Sequence, residues 1–156
     1  MDAKDFLRQL KKLDCMIENK LVEKQQWKAI AMGTTAQMGG ERVQASSSQQ
    51  KMADAVGRYM DIEREVDECI DRLVDTKKDV ISVIEQLETS QYDILHKKYV
   101  QYLTFDEIAA IKNKSTSSIT SIHGIALKNV QKILDERERV KEEWKRSLGF
   151  RKTMGQ

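Results

Sequence analysis

Between Met52 and Leu87, the apolar residues Met52, Val56, Tyr59, Val66, Ile70, Leu73, Val80, Ile84 and Leu87 fall at alternating steps of four and three once Glu63 and Lys77 are placed in the series. Such spacing marks a helix with one seam against another helix. At 1.5 Å per residue, about forty helical residues span roughly 60 Å, too long to bury inside a compact domain of this size. The seam needs a partner. The nearest is a helix over about residues 3 to 31, where Phe6, Leu10, Leu13, Ile17, Leu21 and Trp27 form a comparable stripe. The segment from Gly33 to Ser48 is rich in Gly, Ser and Thr and is expected to be a loop. Residues 1–89 therefore read as a long, coiled-coil-like helical hairpin. Its second helix outruns the first by about ten residues, roughly 15 Å. That surplus predicts a second copy of the chain, a homodimer. The 156 residues include no proline and 33% charged side chains, which fits an all-α protein of mostly long helices.

Residues 90–148 have a different pattern. Thr104 can cap the amides ahead of Ile108, and Glu107, three residues on, can reach back, a capping box. Ile108, Ala109 and Ile111 give the short helix an apolar face. It ends at Lys112-Asn113-Lys114, where Asn113 is expected to take positive φ. Ser115 then caps a further helix. Along that helix Ile119, Ile122, Ala126, Val130 and Ile133 or Leu134 form an inward stripe. Opposite it, the first two turns present Thr116, Ser117, Thr120, Ser121 and His123, with Ser118 among them. A helix, a tight polar turn and a second helix in this spacing define a helix-turn-helix, which places its second helix in a DNA groove. Lys112, Lys114 and Lys128, with Lys97 and Lys98, are the expected phosphate contacts.

Leu103 to Gln131 aligns without a gap on the pattern of the bacterial sigma-70 region 4 helix-turn-helix, through Leu103, Thr104, Glu107, Ile108, Ser115, Ile119, Ile122, Ala126 and Leu127. More broadly, the chain resembles small regulators of Gram-positive phages and prophages, the ArpU and RinA types of late-transcription activator. Arg42-Val43-Gln44-Ala45-Ser46-Ser47, Lys51-Met52-Ala53-Asp54-Ala55-Val56 and His123-Gly124-Ile125-Ala126-Leu127 are similar to that group. The resemblance implies binding of double-stranded DNA and activation of phage genes in contact with host RNA polymerase, in the bacterial cytoplasm. The chain departs from sigma region 4 in having Thr116, Ser117, Ser118 and Thr120 where arginines stand on the reading face. Lys112 and Lys114 also occupy turn positions that are usually apolar. Before Tyr92, no cluster of aromatic and basic residues could melt a promoter.

Charge is distributed in the same sense. The net charge is only +2, but residues 49–89 hold 6 basic and 11 acidic side chains, and residues 91–134 hold 6 and 3. The basic segment is the one expected to approach phosphates. Catalysis and metal binding are not expected: Cys15 and Cys69 lack ligand spacing, and His96 and His123 are too few and too scattered. No cofactor loop or twenty-residue apolar span is present. After Leu134 the reading helix continues or one more helix follows, with Val140, Trp144 and Leu148 at steps of four and Trp144 expected against the core or a partner. Residues 149–156 form a tail. Two other readings stay open: a protein-interaction module that binds RNA polymerase or a host regulator without touching DNA, and a DNA-packaging protein of the terminase small-subunit type.

Overall fold

The computed structural model describes the backbone of residues 1–33 and 45–153, and the side chains of 1–33 and 48–148. Every regular element among the described residues is helical: α1 (Ala3–Ala31), α2 (Ala45–Ile84), α3 (Thr89–Leu95), α4 (Phe105–Lys112) and α5 (Thr116–Thr153). Between α3 and α4, His96–Val100 forms a single π-helical turn. The all-α expectation holds. One detail differs at the expected loop: α2 starts at Ala45, so residues 45–48 are helical. The stretch 34–44, with Arg42 to Gln44, lies outside the described residues.

Two compact units divide the chain: Met1–Lys11 with Thr76–Gln156, and Lys12–Asp75. The division expected at residue 89 therefore falls inside the first unit. The reason lies in the apolar ends of the two long helices, where Ala3, Phe6, Leu7 and Leu10 of α1, and Val80, Val83 and Ile84 of α2, are all buried.

In the unit Lys12–Asp75, the seam of α2 is offset from the expected one. Ala55, Ile62, Val66 and Cys69 are buried, with Tyr59 and Leu73 half-buried, whereas Met52, Val56, Glu63 and Ile70 are exposed. Both series step by four and three and share Tyr59, Val66 and Leu73. The buried series takes the smaller members, Ala55 and Cys69, which allow a closer approach. Around it charge joins the helices, through Lys24 to Glu63 at 3.0 Å, Arg58 to Glu23 at 2.9 Å and Lys20 to Glu65, while Arg58 also bonds Glu65 along α2 at 2.9 Å. Rising numbers on α1 meet falling numbers on α2, as two antiparallel helices require. On α1 the stripe thins out: Leu13 is buried and Ile17 half-buried, but Leu21 is exposed. Cys15 is exposed and Cys69 buried, both free.

In the other unit, Ile94, Ile108, Ala109 and Ile119 form a buried cluster, with Leu103, Phe105 and Ile122 packed against it. Asn129 of α5 donates to Gln91 of α3 at 2.9 Å, and Gln131 accepts from the backbone N–H of Ala3 at 2.7 Å. Arg137 donates to Asp79 and Ser82 of α2. The continuation after Leu134 is a single helix with the start of α5.

Candidate nucleic-acid interface

The entry to α4 is fixed by the capping box anticipated from Thr104 and Glu107. The Thr104 hydroxyl accepts the Glu107 N–H at 3.2 Å, and the Glu107 carboxylate accepts the Thr104 N–H at 2.7 Å. The Thr104 backbone N–H, and then its hydroxyl, hold the Glu107 carboxyl below its ordinary range. At the other end Asn113 takes φ 56°, ψ 42°, the left-handed conformation that stops the helix. Ser115 accepts the Ser118 N–H at 3.1 Å and opens α5. Local chemistry alone thus sets the length of the turn between α4 and α5.

Along α5, Ile119, His123, Ala126 and Val130 are buried, and Ile122 is half-buried. Thr116, Ser117, Thr120, Ser121, Ile125 and Lys128 are exposed. The hydroxyls of Thr120 and Ser121 both donate to the Ser117 carbonyl at 2.9 Å. Their oxygens keep lone pairs directed outward, so these side chains act as acceptors. Thr116 donates to Asp106 at 2.8 Å, linking α5 to α4. Ser118 is half-buried at the cap.

His123 does not stand with the exposed residues. It comes four after Ile119 and three before Ala126, so helical geometry puts it on the apolar stripe. Its ring is 8% exposed, its Nε2 lies 3.0 Å from the Tyr99 hydroxyl, and the edge of Phe105 meets it at 5.0 Å between centroids. Burial, assisted by Lys98 and Lys4, pushes its pKa down to about 4. Ile111 is also displaced from its expected place. It is 60% exposed, and the half-buried Lys112 lies in its stead.

Three of the lysines have intramolecular partners. Asp93 on α3 pairs with both Lys97 and Lys112. Burial pushes the Asp93 carboxyl up, but its bonds to Lys112 and Lys97 more than reverse this and hold it below its ordinary range. Lys98 sits 4.4 Å over the Phe105 ring. Lys114 in the turn and Lys128 on α5 are exposed. The sequence contained a signal for Asp93, since Lys97 is four residues on along a helix. The pairing with Lys112 depends on tertiary structure. Ile125, outside the inward stripe of α5, is exposed.

Among the described residues no group of His, Cys, Asp and Glu is arranged to hold a metal ion, and no helix is long and apolar enough to cross a membrane. No protein-family model, curated protein or solved structure matches the chain.

Proposed function

We propose that this chain is a helix-turn-helix protein that binds double-stranded DNA through the first turns of α5. In this reading it acts as a phage-type transcriptional regulator, an activator working with host RNA polymerase. One observation carries the proposal: the start of α5 is divided into a buried apolar stripe and an exposed polar face, directly after a turn fixed by Asn113 and Ser115. A recognition helix has this division, because one face packs on the preceding helix and the other enters the groove. With their hydrogens committed to the Ser117 carbonyl, Thr120 and Ser121 suit the amino groups of adenine or cytosine in the major groove. Lys114 and Lys128 supply phosphate contacts, which fix position and carry no sequence information.

Retention of fragmented host and prophage DNA by the purified protein at moderate salt, followed by sequencing, tests this. Enrichment of one site upstream of an operon supports the regulator. Uniform loss of all fragments refutes it. The exposed Ile111 and Ile125 favour a second reading, an interaction module that docks on polymerase or a host regulator. Salt separates the two: phosphate binding weakens steeply as salt rises, whereas a pure interaction module has no duplex affinity to lose.

A further inference from the structure

We propose that Lys4, Arg8 and Lys11 of α1, together with Lys98 of the π-helical turn, form a second phosphate-binding surface that holds the duplex backbone beside the exposed face of α5. The inference rests on the DNA-binding reading and extends it to an element outside the helix-turn-helix. Lys4, Arg8 and Lys11 recur at steps of four and three, so they share one line of α1, and all three are exposed. Asp2 and Asp5, the acidic residues of the same end, fall off that line. Ala3, Phe6, Leu7 and Leu10 on the opposite side are buried, so the basic stripe faces solvent. Among the described residues Lys4, Arg8 and Lys98 belong to no ion pair, whereas Lys97 and Lys112 are both held by Asp93.

Tertiary contacts bring this stripe to the helix-turn-helix. The Ala3 N–H donates to Gln131 Oε1 at 2.7 Å, and Gln131 Nε2 donates to the Met1 carbonyl at 3.4 Å, which docks the start of α1 on α5. Gln131 comes about three turns after Thr120, so both stand on one line of α5. Lys98 lies 4.4 Å over the ring of Phe105, the first residue of α4, and Phe105 in turn meets His123 at 5.0 Å. Burial first, and then the charges of Lys98 and Lys4, keep His123 neutral; at Tyr99 burial raises the pKa and Arg8 opposes it. Cations from two segments thus converge on one buried, neutral pair. Their spacing suits a polyanion. From Lys4 to Lys11 the stripe runs roughly 10 Å along α1, a length over which one strand of B-DNA carries about three phosphates. Such a grip supplies position and sequence-independent affinity, which the uncharged run Thr116–Ser121 does not.

The test is fluorescence anisotropy of the full chain with a labelled duplex of random sequence over a salt series, with helical circular dichroism confirming that each variant is folded. Lys4→Gln combined with Arg8→Gln should weaken binding and lower the logarithmic salt slope by about 1.8, the value of two phosphate contacts. Lys77→Gln combined with Lys78→Gln removes the same charge from exposed positions of α2 and should leave the slope unchanged. Lys4→Arg combined with Arg8→Lys keeps the charges and should bind as the unaltered chain does. A slope indifferent to the loss of Lys4 and Arg8, or lowered equally by the α2 pair, overturns the α1 surface while the DNA-binding reading stands. An unaltered chain without duplex affinity overturns both.

Discussion

The Tyr99 hydroxyl and Nε2 of His123 lie 3.0 Å apart, joining the π-helical turn to the buried side of α5 across 24 residues of sequence. The two rings stack at 5.8 Å between centroids, inclined by 20°. Burial pushes the tyrosine pKa up and the histidine pKa down, so the pair is neutral in the folded protein.

A defined acid sensitivity follows. His123 titrates at about 4 when folded, against an ordinary value of 6.5. Between those values the unfolded chain binds the proton and the folded chain does not. Stability from this residue is therefore complete above about pH 6.5 and declines as pH falls through the window, by about 2 kcal/mol between about pH 7 and about pH 5. Urea unfolding at the two pH values measures the decline. His123→Gln, which keeps a partner for Tyr99, should flatten it; an unchanged slope would mean that another group dominates.

Asp93 is the other electrostatic node. Its carboxyl is held below its ordinary range, so its contribution is present above that range and is lost as pH falls through the folded value. Asp93→Asn removes both lysine pairs from a site where the carboxylate is 28% exposed. The expected cost is about 1–3 kcal/mol of unfolding free energy. The same change frees Lys97 and Lys112. Non-specific duplex affinity should rise as stability drops, and a fall in both would show that the lysines do not face phosphate.

Asn113 offers a test of the turn. At φ 56° a side chain without a β-branch is tolerated, glycine is better, and valine is strained. Asn113→Gly should be neutral or slightly stabilising, while Asn113→Val should cost about 1–2 kcal/mol. Thermal unfolding of the two variants gives the order; equal melting temperatures would place the turn in another conformation.

Where local chemistry decides structure, the sequence was sufficient. Thr104, Glu107, Asn113 and Ser115 each act within three or four residues, and their roles could be read directly. The seam of α2 could not. Val56 and Ile70 are more apolar than Ala55 and Cys69, and both series keep the same period, so composition favoured the larger residues and only packing reveals that the smaller ones are buried. His123 shows the same limit in reverse: its spacing from Ile119 and Ala126 pointed inward, but its polarity suggested the exposed face. Of the two places expected for Trp144, the core or a partner, its own chain does not provide the first.

The polar face of α5 makes two separable predictions for DNA binding. Thr120→Asp places a negative charge on the exposed face without touching the buried stripe, and should abolish specific binding with helicity intact. Lys128→Gln should weaken binding to all sequences alike and reduce the logarithmic salt slope by about 0.9, the value of one phosphate contact. Fluorescence anisotropy over a salt series distinguishes the two. Retention of specific binding by Thr120→Asp would remove this face from the site.

Gly124 separates stability from recognition. It lies inside α5, and a Cβ built on it meets nothing within 4 Å. Glycine within a helix costs up to about 1 kcal/mol relative to alanine, so Gly124→Ala should raise stability by about that amount. One turn beyond Thr120, the position borders the exposed polar face. If the duplex approaches the helix backbone there, the added methyl fills space that the groove wall requires. The expected result is a more stable protein with weaker specific binding, measured by thermal unfolding and anisotropy on the same preparation. A variant that gains stability and binds DNA as before would move the closest approach toward Ser117 and the turn.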